Sequence, residues 1–322
     1  MTVNRIPHIV ADDQIPFLES ISPRKAHITR IPGHLTDKKA IQEADALLVR
    51  TRTRCDASLL EGSPVSFIGS ATIGTDHIDL PYCESHGIRV ANAPGCNAGA
   101  VMQYVFTALT AWAAKRNVNL CGKTLGVVGV GNVGKKVVHL AEHLGMKTLL
   151  NDPPRALAEG SAGFVDLPFL LKHADIATLH VPFAPDTRGM ADRAFFSSMR
   201  KGACLVNTSR GEVVDEEALK NAAGDLGGII LDVWRNEPRI DIETLGITDI
   251  ATPHIAGYSM EGKRNASQTI IRELAAHFGW RELENYTISL PPPRPVPADL
   301  LFTHCFPIFV EDKQLRNAPH QF

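Results

Sequence analysis

Four polar residues fall where short apolar runs give out. Arg210 follows ACLVNTS, Asp232 follows GGIIL, His254 follows DIATP, and Glu237 lies in the loop just past Asp232. In an open parallel sheet chemistry sits beyond the carboxyl ends of the strands, so these residues make one candidate group. Their types suit hydride transfer at a 2-hydroxy acid. The planar fork of Arg210 can hold a carboxylate and the adjoining carbonyl oxygen, which a lysine would not reproduce. His254 can take the hydroxyl proton as hydride leaves the carbon, and return it in the reverse direction. Glu237 can accept from the other ring nitrogen, which selects the tautomer and favours protonated His254. Asp232 is better placed for the carboxamide side of a nicotinamide cofactor.

A cofactor site is suggested by Gly129, Gly131 and Gly134, spaced G-x-G-x-x-G after a β-rich apolar run and at the start of an amphipathic stretch. Gly129 permits a tight turn, Gly131 lets backbone approach a pyrophosphate, and Gly134 lets the helix pack closely on the strand. The helix N-terminus then offers unpaired amides to phosphate. Asp152 ends the next apolar run, where a carboxylate accepts from ribose hydroxyls and repels a 2′-phosphate, so NAD is expected over NADP. Arg155 stands close enough to soften that preference.

A second group of polar residues lies in the first hundred. Arg50, Arg52 and Arg54 follow DALLV and, read as an extended strand, alternate with Thr51 and Thr53. Arg52 and Arg54 read as a solvated strand end. Arg50 is the one placed to meet an anionic group such as a phosphate. GSATIG at 69–74 is another polar, glycine-flanked strand end, and Thr72 can donate to the same ligand.

Two series of buried strands must position these residues. Continuous apolar runs at HIVADD, HITRIP, ALLVRT, VSFIGSA and IRVANA are separated by helical stretches, among them TDKKAIQEA. A second series, TLGVVGVG, KTLLNDP, DIATLHVP, ACLVNTSR, GGIILDV and DIATPH, follows a long apolar helix. The pattern predicts an α/β protein with two doubly wound parallel sheets. The 322 residues suit two domains, and 44% apolar with 21% charged residues is ordinary globular composition. Thirty-three basic against thirty-five acidic residues leave no general cationic field, so neither nucleic acid nor membrane is an expected partner. Cysteine spacing suggests neither a metal site nor a disulfide framework. Residues 98–114 are too short and too polar for a membrane span and read as a helix buried between layers. The N-terminus has no secretory pattern, so the chain reads as cytoplasmic. After LPPPRPVPADLL the tail shows no clear period.

VGVGNVG, NTSRGEVVDEEAL, LDVWRNEP and TPHIAGYS, in this order, resemble the D-isomer-specific 2-hydroxyacid dehydrogenases. APGCNAGAV, NDPPR and TPHIAGYSMEGK are similar to the branch that oxidises 4-phospho-D-erythronate on the way to pyridoxine and pyridoxal 5′-phosphate. The resemblance covers roughly residues 5 to 290. It implies NAD-dependent oxidation of that acid to 2-oxo-3-hydroxy-4-phosphobutanoate, with Arg210 and Glu237 in the active site and His254 as proton donor. It assigns Asn132, Val133, Asp152, Asp232, Gly257 and the turn containing Thr208 and Ser209 to the cofactor. It matches Thr51, Thr72 and Tyr258 to the substrate. It also implies a Rossmann NAD domain at 99–280 inserted in a flavodoxin-like substrate domain at 1–98 and 281–300. Thr51 stands where serine is usual, Val181 replaces a cofactor-holding threonine, and Gln103 replaces a glutamate. The family carries a C-terminal dimerisation domain, where this chain has a tail at 301–322; a homodimer is still expected, paired through the nucleotide domain. A D-3-phosphoglycerate dehydrogenase, a glycerate-type dehydrogenase and an NAD-sensing binding module remain alternatives.

Overall fold

The computed structural model describes residues 5–292, 302 and 306–321. They divide into two compact units. One holds the described residues up to Asn97 and those from Tyr258 to 292, and the other holds Ala98–Gly257 with the described C-terminal residues.

The first unit is built on a five-stranded sheet of β1 (His8–Asp12), β2 (His27–Ile31), β3 (Ala46–Val49), β4 (Phe67–Ser70) and β5 (Arg89–Ala91). The order is β2-β1-β3-β4-β5 and every pairing is parallel. Alternation sends Ile9, Ala11 and Leu48 to one face, and Val10, Leu47 and Val49 to the other. Burial on both faces is why these strands read as unbroken apolar runs.

The second unit carries β6 (Thr124–Val128), β7 (Lys147–Asn151), β8 (Ile176–Leu179), β9 (Cys204–Asn207), β10 (Gly228–Leu231) and β11 (Ile250–Ala251). Their order is β11-β10-β9-β8-β6-β7, again all parallel. The chain reverses winding direction at β6, with β7 on one side and β8 on the other. That is the switch point beyond which a doubly wound sheet takes its ligand. The helix Ala98–Arg116 is buried along most of its length, with Val105, Phe106, Ala108 and Leu109 fully covered. Among the described residues no helix is long and apolar enough to cross a membrane.

Three expectations are corrected. Residues 36–44 form turns rather than a helix. Asp37 caps the amide of Ala40, but the deeply buried residues of the stretch are Ile41 and Ala44, one large side chain and one methyl, too little to offset helix nucleation. The return to the first unit comes at Tyr258, not 281. The helix Met260–Phe278 buries Ile270, Ile271, Leu274 and Ala275 against Ile9, Ala11, Leu48 and Phe67 of that sheet. The described part of the tail carries a helix, Ile308–Asn317, that belongs to the second unit. Asp312 accepts from the Ala251 amide on β11, while Arg316 donates to the Leu245 and Thr248 carbonyls. An edge strand is thereby covered.

Candidate active site

The three loop glycines behave as three different solutions to close approach. Gly129 has φ 86°, and a Cβ there would stand 2.7 Å from the backbone carbonyl of His180, at the end of the neighbouring strand. At Gly134 a Cβ would meet the Gly129 oxygen at 2.1 Å, so helix and strand touch through bare backbone. At Gly131 a Cβ would meet nothing within 4 Å. That open face precedes the helix Asn132–His143, whose N-terminus has no side-chain cap. Unpaired amides beside an open backbone fit a pyrophosphate. Asn132 is exposed and Val133 half-buried at the start of this helix.

Asp152 caps the short helix Pro153–Glu159 through the Arg155 amide at 3.1 Å, and its other oxygen accepts from the Val130 amide at 2.8 Å. The carboxylate therefore ties the glycine loop to the end of β7. Arg155 is held by Glu159 and donates to the Val130 carbonyl at 2.8 Å, which restrains it from meeting a 2′-phosphate. A NAD ribose fits this carboxylate better than a phosphorylated one.

Beyond β9, Asn207 builds the turn that presents Arg210. Its amide oxygen accepts from the Ser209 amide and hydroxyl at 3.0 and 2.7 Å, and its nitrogen donates to the Arg210 carbonyl at 2.9 Å. The Ser209 hydroxyl is thus taken by Asn207 rather than turned outward. Thr208 instead lies 3.3 Å from Nδ1 of His180. His180 follows β8, and burial pushes its imidazole down to about 3, so it stays neutral. Val181 is half-buried beside it.

His254 and Glu237, which the residue types paired, meet in the structure. His254 Nδ1 lies 2.7 Å from Glu237 Oε2, and Glu237 Oε1 accepts from the Trp234 amide at 2.8 Å. Partial burial works against charge on the imidazole. The hydrogen bond and charge of Glu237, with Asp232 behind, outweigh burial and the opposing charge of Arg210, so the pKa is raised. Among the described residues its other nitrogen, Nε2, makes no hydrogen bond, which leaves it able to meet a hydroxyl. The residue sits at φ 55°, a left-handed conformation that costs a non-glycine residue.

Asp232 is 1% exposed and its oxygens are filled from within the protein. They accept from Thr252 Oγ1 at 2.6 Å and from the amides of Ile255 and Ala256, each at 2.9 Å. Burial pushes its carboxyl pKa up against these donors and the charge of His254. The structure makes it the organiser of the turn carrying His254, a role its place at a strand end did not reveal. Gly257 closes that turn, half-buried.

In the first unit the polar strand ends are not an alternating ribbon. β3 stops at Val49, residues 51–53 turn, Thr53 is buried with its hydroxyl on the Gly33 carbonyl, and Arg54 pairs with Asp56. Arg50 is half-buried and Thr51 exposed. Thr72 lies 2.7 Å from the Ser70 hydroxyl and bonds the Gly74 carbonyl at 3.1 Å. Tyr258 is 62% exposed and accepts from Lys263 Nζ at 2.6 Å. Lys263, then burial in opposition, and the charge of Arg50 set its phenol pKa, which falls. So this unit gathers Arg50, Tyr258 and Lys263. Lys263 went unnoticed in the sequence because a lysine in the first turn of a helical run looks like any solvated helix residue. Asn207, Trp234, Thr252 and His180 went unnoticed for the opposite reason: they work buried, holding other residues.

Comparison with known proteins bears on the whole arrangement. Residues 103–256 match the D-isomer specific 2-hydroxyacid dehydrogenase, NAD binding domain. The chain is 45% identical over 293 residues to the erythronate-4-phosphate dehydrogenase of Bacteroides fragilis (strain ATCC 25285), covering 89% of this chain and 84% of that one. It is 40% identical over 291 residues to the enzyme of the same name from Escherichia coli O1:K1, covering 88% and 77%. In structure it is similar to the NAD-bound 3-phosphoglycerate dehydrogenase of Entamoeba histolytica, at a TM-score of 0.74 and 26% identity, covering 88% of this chain and all of that one. With the glycine loop, the arginine turn and the histidine–glutamate pair in place, the chain belongs to the erythronate-4-phosphate dehydrogenases, NAD-dependent members of the D-isomer-specific 2-hydroxyacid dehydrogenases.

Proposed function

We propose that this enzyme oxidises 4-phospho-D-erythronate at carbon 2 to 2-oxo-3-hydroxy-4-phosphobutanoate, a step toward pyridoxine and pyridoxal 5′-phosphate. The observation that carries the reaction type is the 2.7 Å contact between His254 and Glu237, with Arg210 near enough for His254 to feel its charge. NAD, when bound, supplies the hydride acceptor. The residues assigned to hold it are Gly129, Gly131, Asn132, Val133, Gly134, Asp152, Val181, Thr208, Ser209, Asp232 and Gly257. Of these, Asp152 and Asp232 act chiefly by shaping the loops that meet it.

His254 takes the C2 hydroxyl proton on Nε2 while its Nδ1–H stays on Glu237. As the imidazolium forms, the Glu237 carboxylate beside it stabilises the new charge. Arg210 holds the substrate carboxylate and the C2 oxygen, so the alcohol is presented in one orientation. We assign the substrate phosphate to Arg50, Thr51, Thr72 and Tyr258 of the first unit, where cationic and hydroxyl groups meet. The same reading places the enzyme in the cytoplasm as a homodimer; fractionation and light scattering check both.

The test is NADH formation with 4-phosphoerythronate, 3-phosphoglycerate and glycerate supplied in parallel. Preference for 4-phosphoerythronate is expected. Preference for 3-phosphoglycerate would overturn the substrate, and NADH binding without turnover of any acid would overturn the reaction.

A further inference from the structure

We propose that Tyr104 is a positioning residue for proton transfer, holding the turn that carries His254 by way of Thr252 and Asp232. This rests on His254 being the acid–base group. Tyr104 lies on the helix Ala98–Arg116 and is 3% exposed, with its hydroxyl 2.5 Å from Thr252 Oγ1. Thr252 is fully buried and donates onward to Asp232 at 2.6 Å. A hydroxyl has one proton. That of Thr252 goes to the carboxylate, so in the first bond Tyr104 must be the donor. The direction follows: Tyr104 to Thr252 to Asp232.

What the chain of donors ends on decides its use. Asp232 gathers the amides of Ile255 and Ala256 on its carboxylate, and the amide of His254 on its main-chain carbonyl at 2.7 Å. The two residues after His254 and His254 itself are therefore anchored to one residue. His254 holds a left-handed φ of 55° that its own side chain disfavours, so the turn persists only because its surroundings fix it. A phenylalanine would fill the same buried space as Tyr104, and its ring would keep the edge contact with Phe306. The hydroxyl earns no packing advantage, and its desolvation is offset only by the bond to Thr252. Buried donors in series strengthen one another, so the Thr252–Asp232 bond weakens when the first is removed.

The charged groups facing His254 are Glu237, Asp232 and Arg210, and those felt by Tyr104 are Asp232 and Asp312. Losing these donors raises the proton affinity of the buried Asp232 carboxyl further, and as Asp232 takes up a proton the negative charge behind His254 falls, so its imidazolium loses stability. In the chain without cofactor, the imidazole of His254 can be titrated by NMR in wild type, Tyr104→Phe, Thr252→Val and Thr252→Ser. The midpoint is expected to fall in Tyr104→Phe, to fall further in Thr252→Val, and to return toward wild type in Thr252→Ser. Turnover in Tyr104→Phe is expected to drop about 2–12-fold, the equivalent of one net hydrogen bond. A His254 midpoint unmoved in both Tyr104→Phe and Thr252→Val, with thermal stability kept, would overturn the proposal alone. Turnover surviving His254→Ala would overturn the acid–base reading, and this proposal with it.

Discussion

Glu237→Gln is the substitution on which the geometry speaks most sharply, because it changes no volume and yet cannot satisfy its neighbours. Glu237 uses one oxygen for the Trp234 amide and the other for His254 Nδ1. Glutamine has a single oxygen. If that oxygen stays on Trp234, the amide NH2 faces Nδ1 and forces the ring proton to Nε2, the nitrogen that must be bare to accept the hydroxyl proton. If it turns to His254, the NH2 group meets the Trp234 N–H and a half-buried donor goes unpaired, at about 1–3 kcal/mol. The charge is lost in either case. Ion and imidazolium centres about 4 Å apart interact by about 4 kcal/mol at an effective dielectric of 20. Because the His254 side chain is 41% exposed, solvent screening reduces this to about 1–2 kcal/mol, or roughly one pH unit. Oxidation needs neutral His254, so kcat/KM for the hydroxy acid rises with pH through the elevated His254 pKa. In the variant that limb should move to lower pH by about one unit, and the plateau should fall about 10²-fold, the lower part of the range for lost acid–base catalysis. In the reduction direction, which needs imidazolium, the falling limb moves to lower pH as well. Steady-state NADH formation against pH measures this, with NADH fluorescence titration to show that cofactor still binds. A plateau within about threefold of wild type and an unmoved limb would refute the assignment of Glu237.

Gly134→Ala puts a methyl on top of the Gly129 carbonyl, 2.1 Å away, so helix and loop must part. A loss of about 1–3 kcal/mol in urea unfolding is expected, with weaker NADH binding in fluorescence titration. Arg316→Ala leaves the carbonyl of buried Thr248 without its donor and that of buried Leu245 with only the Thr248 amide. We expect about 2–3 kcal/mol of destabilisation in the same assay, and an unchanged midpoint would show that the C-terminal helix does not brace β11. Lys263→Met removes the donor to Tyr258. The ratio of kcat/KM for the phosphorylated acid to that for glycerate should fall about 10–100-fold, and the tyrosine absorbance titration should move up. An unchanged ratio would exclude Lys263 from phosphate recognition.

Much of the architecture was open to reading from pattern. Strands covered on both faces cannot alternate in polarity, so each appears as an apolar run, and a polar residue at its end marks the ligand side of the sheet. That logic picked out Arg210, Asp232, Glu237 and His254, which do lie beyond the ends of β9, β10 and β11, and the glycine spacing picked out the turn at 129–134, which does open a helix. It failed at residues 36–44, where helical composition came with one large apolar side chain, Ile41, to pack. It failed again at the tail, whose helix is specified by Asp312 and Arg316 meeting backbone groups more than sixty residues away.

Residue types and strand ends by themselves determined the chemistry available: an arginine for a carboxylate, a histidine with a carboxylate partner for the proton, a bare loop for phosphate. Only the tertiary structure decided which groups reach outward and which hold the others in place. Asp232 looked like a cofactor ligand and is the hub of a buried turn; Asn207, Trp234, Thr252 and Tyr104 looked like nothing in particular and build the site. The physical reason is that hydrogen-bond saturation depends on contacts between strands distant in sequence. No spacing rule along the chain records which lone pairs those contacts have already filled.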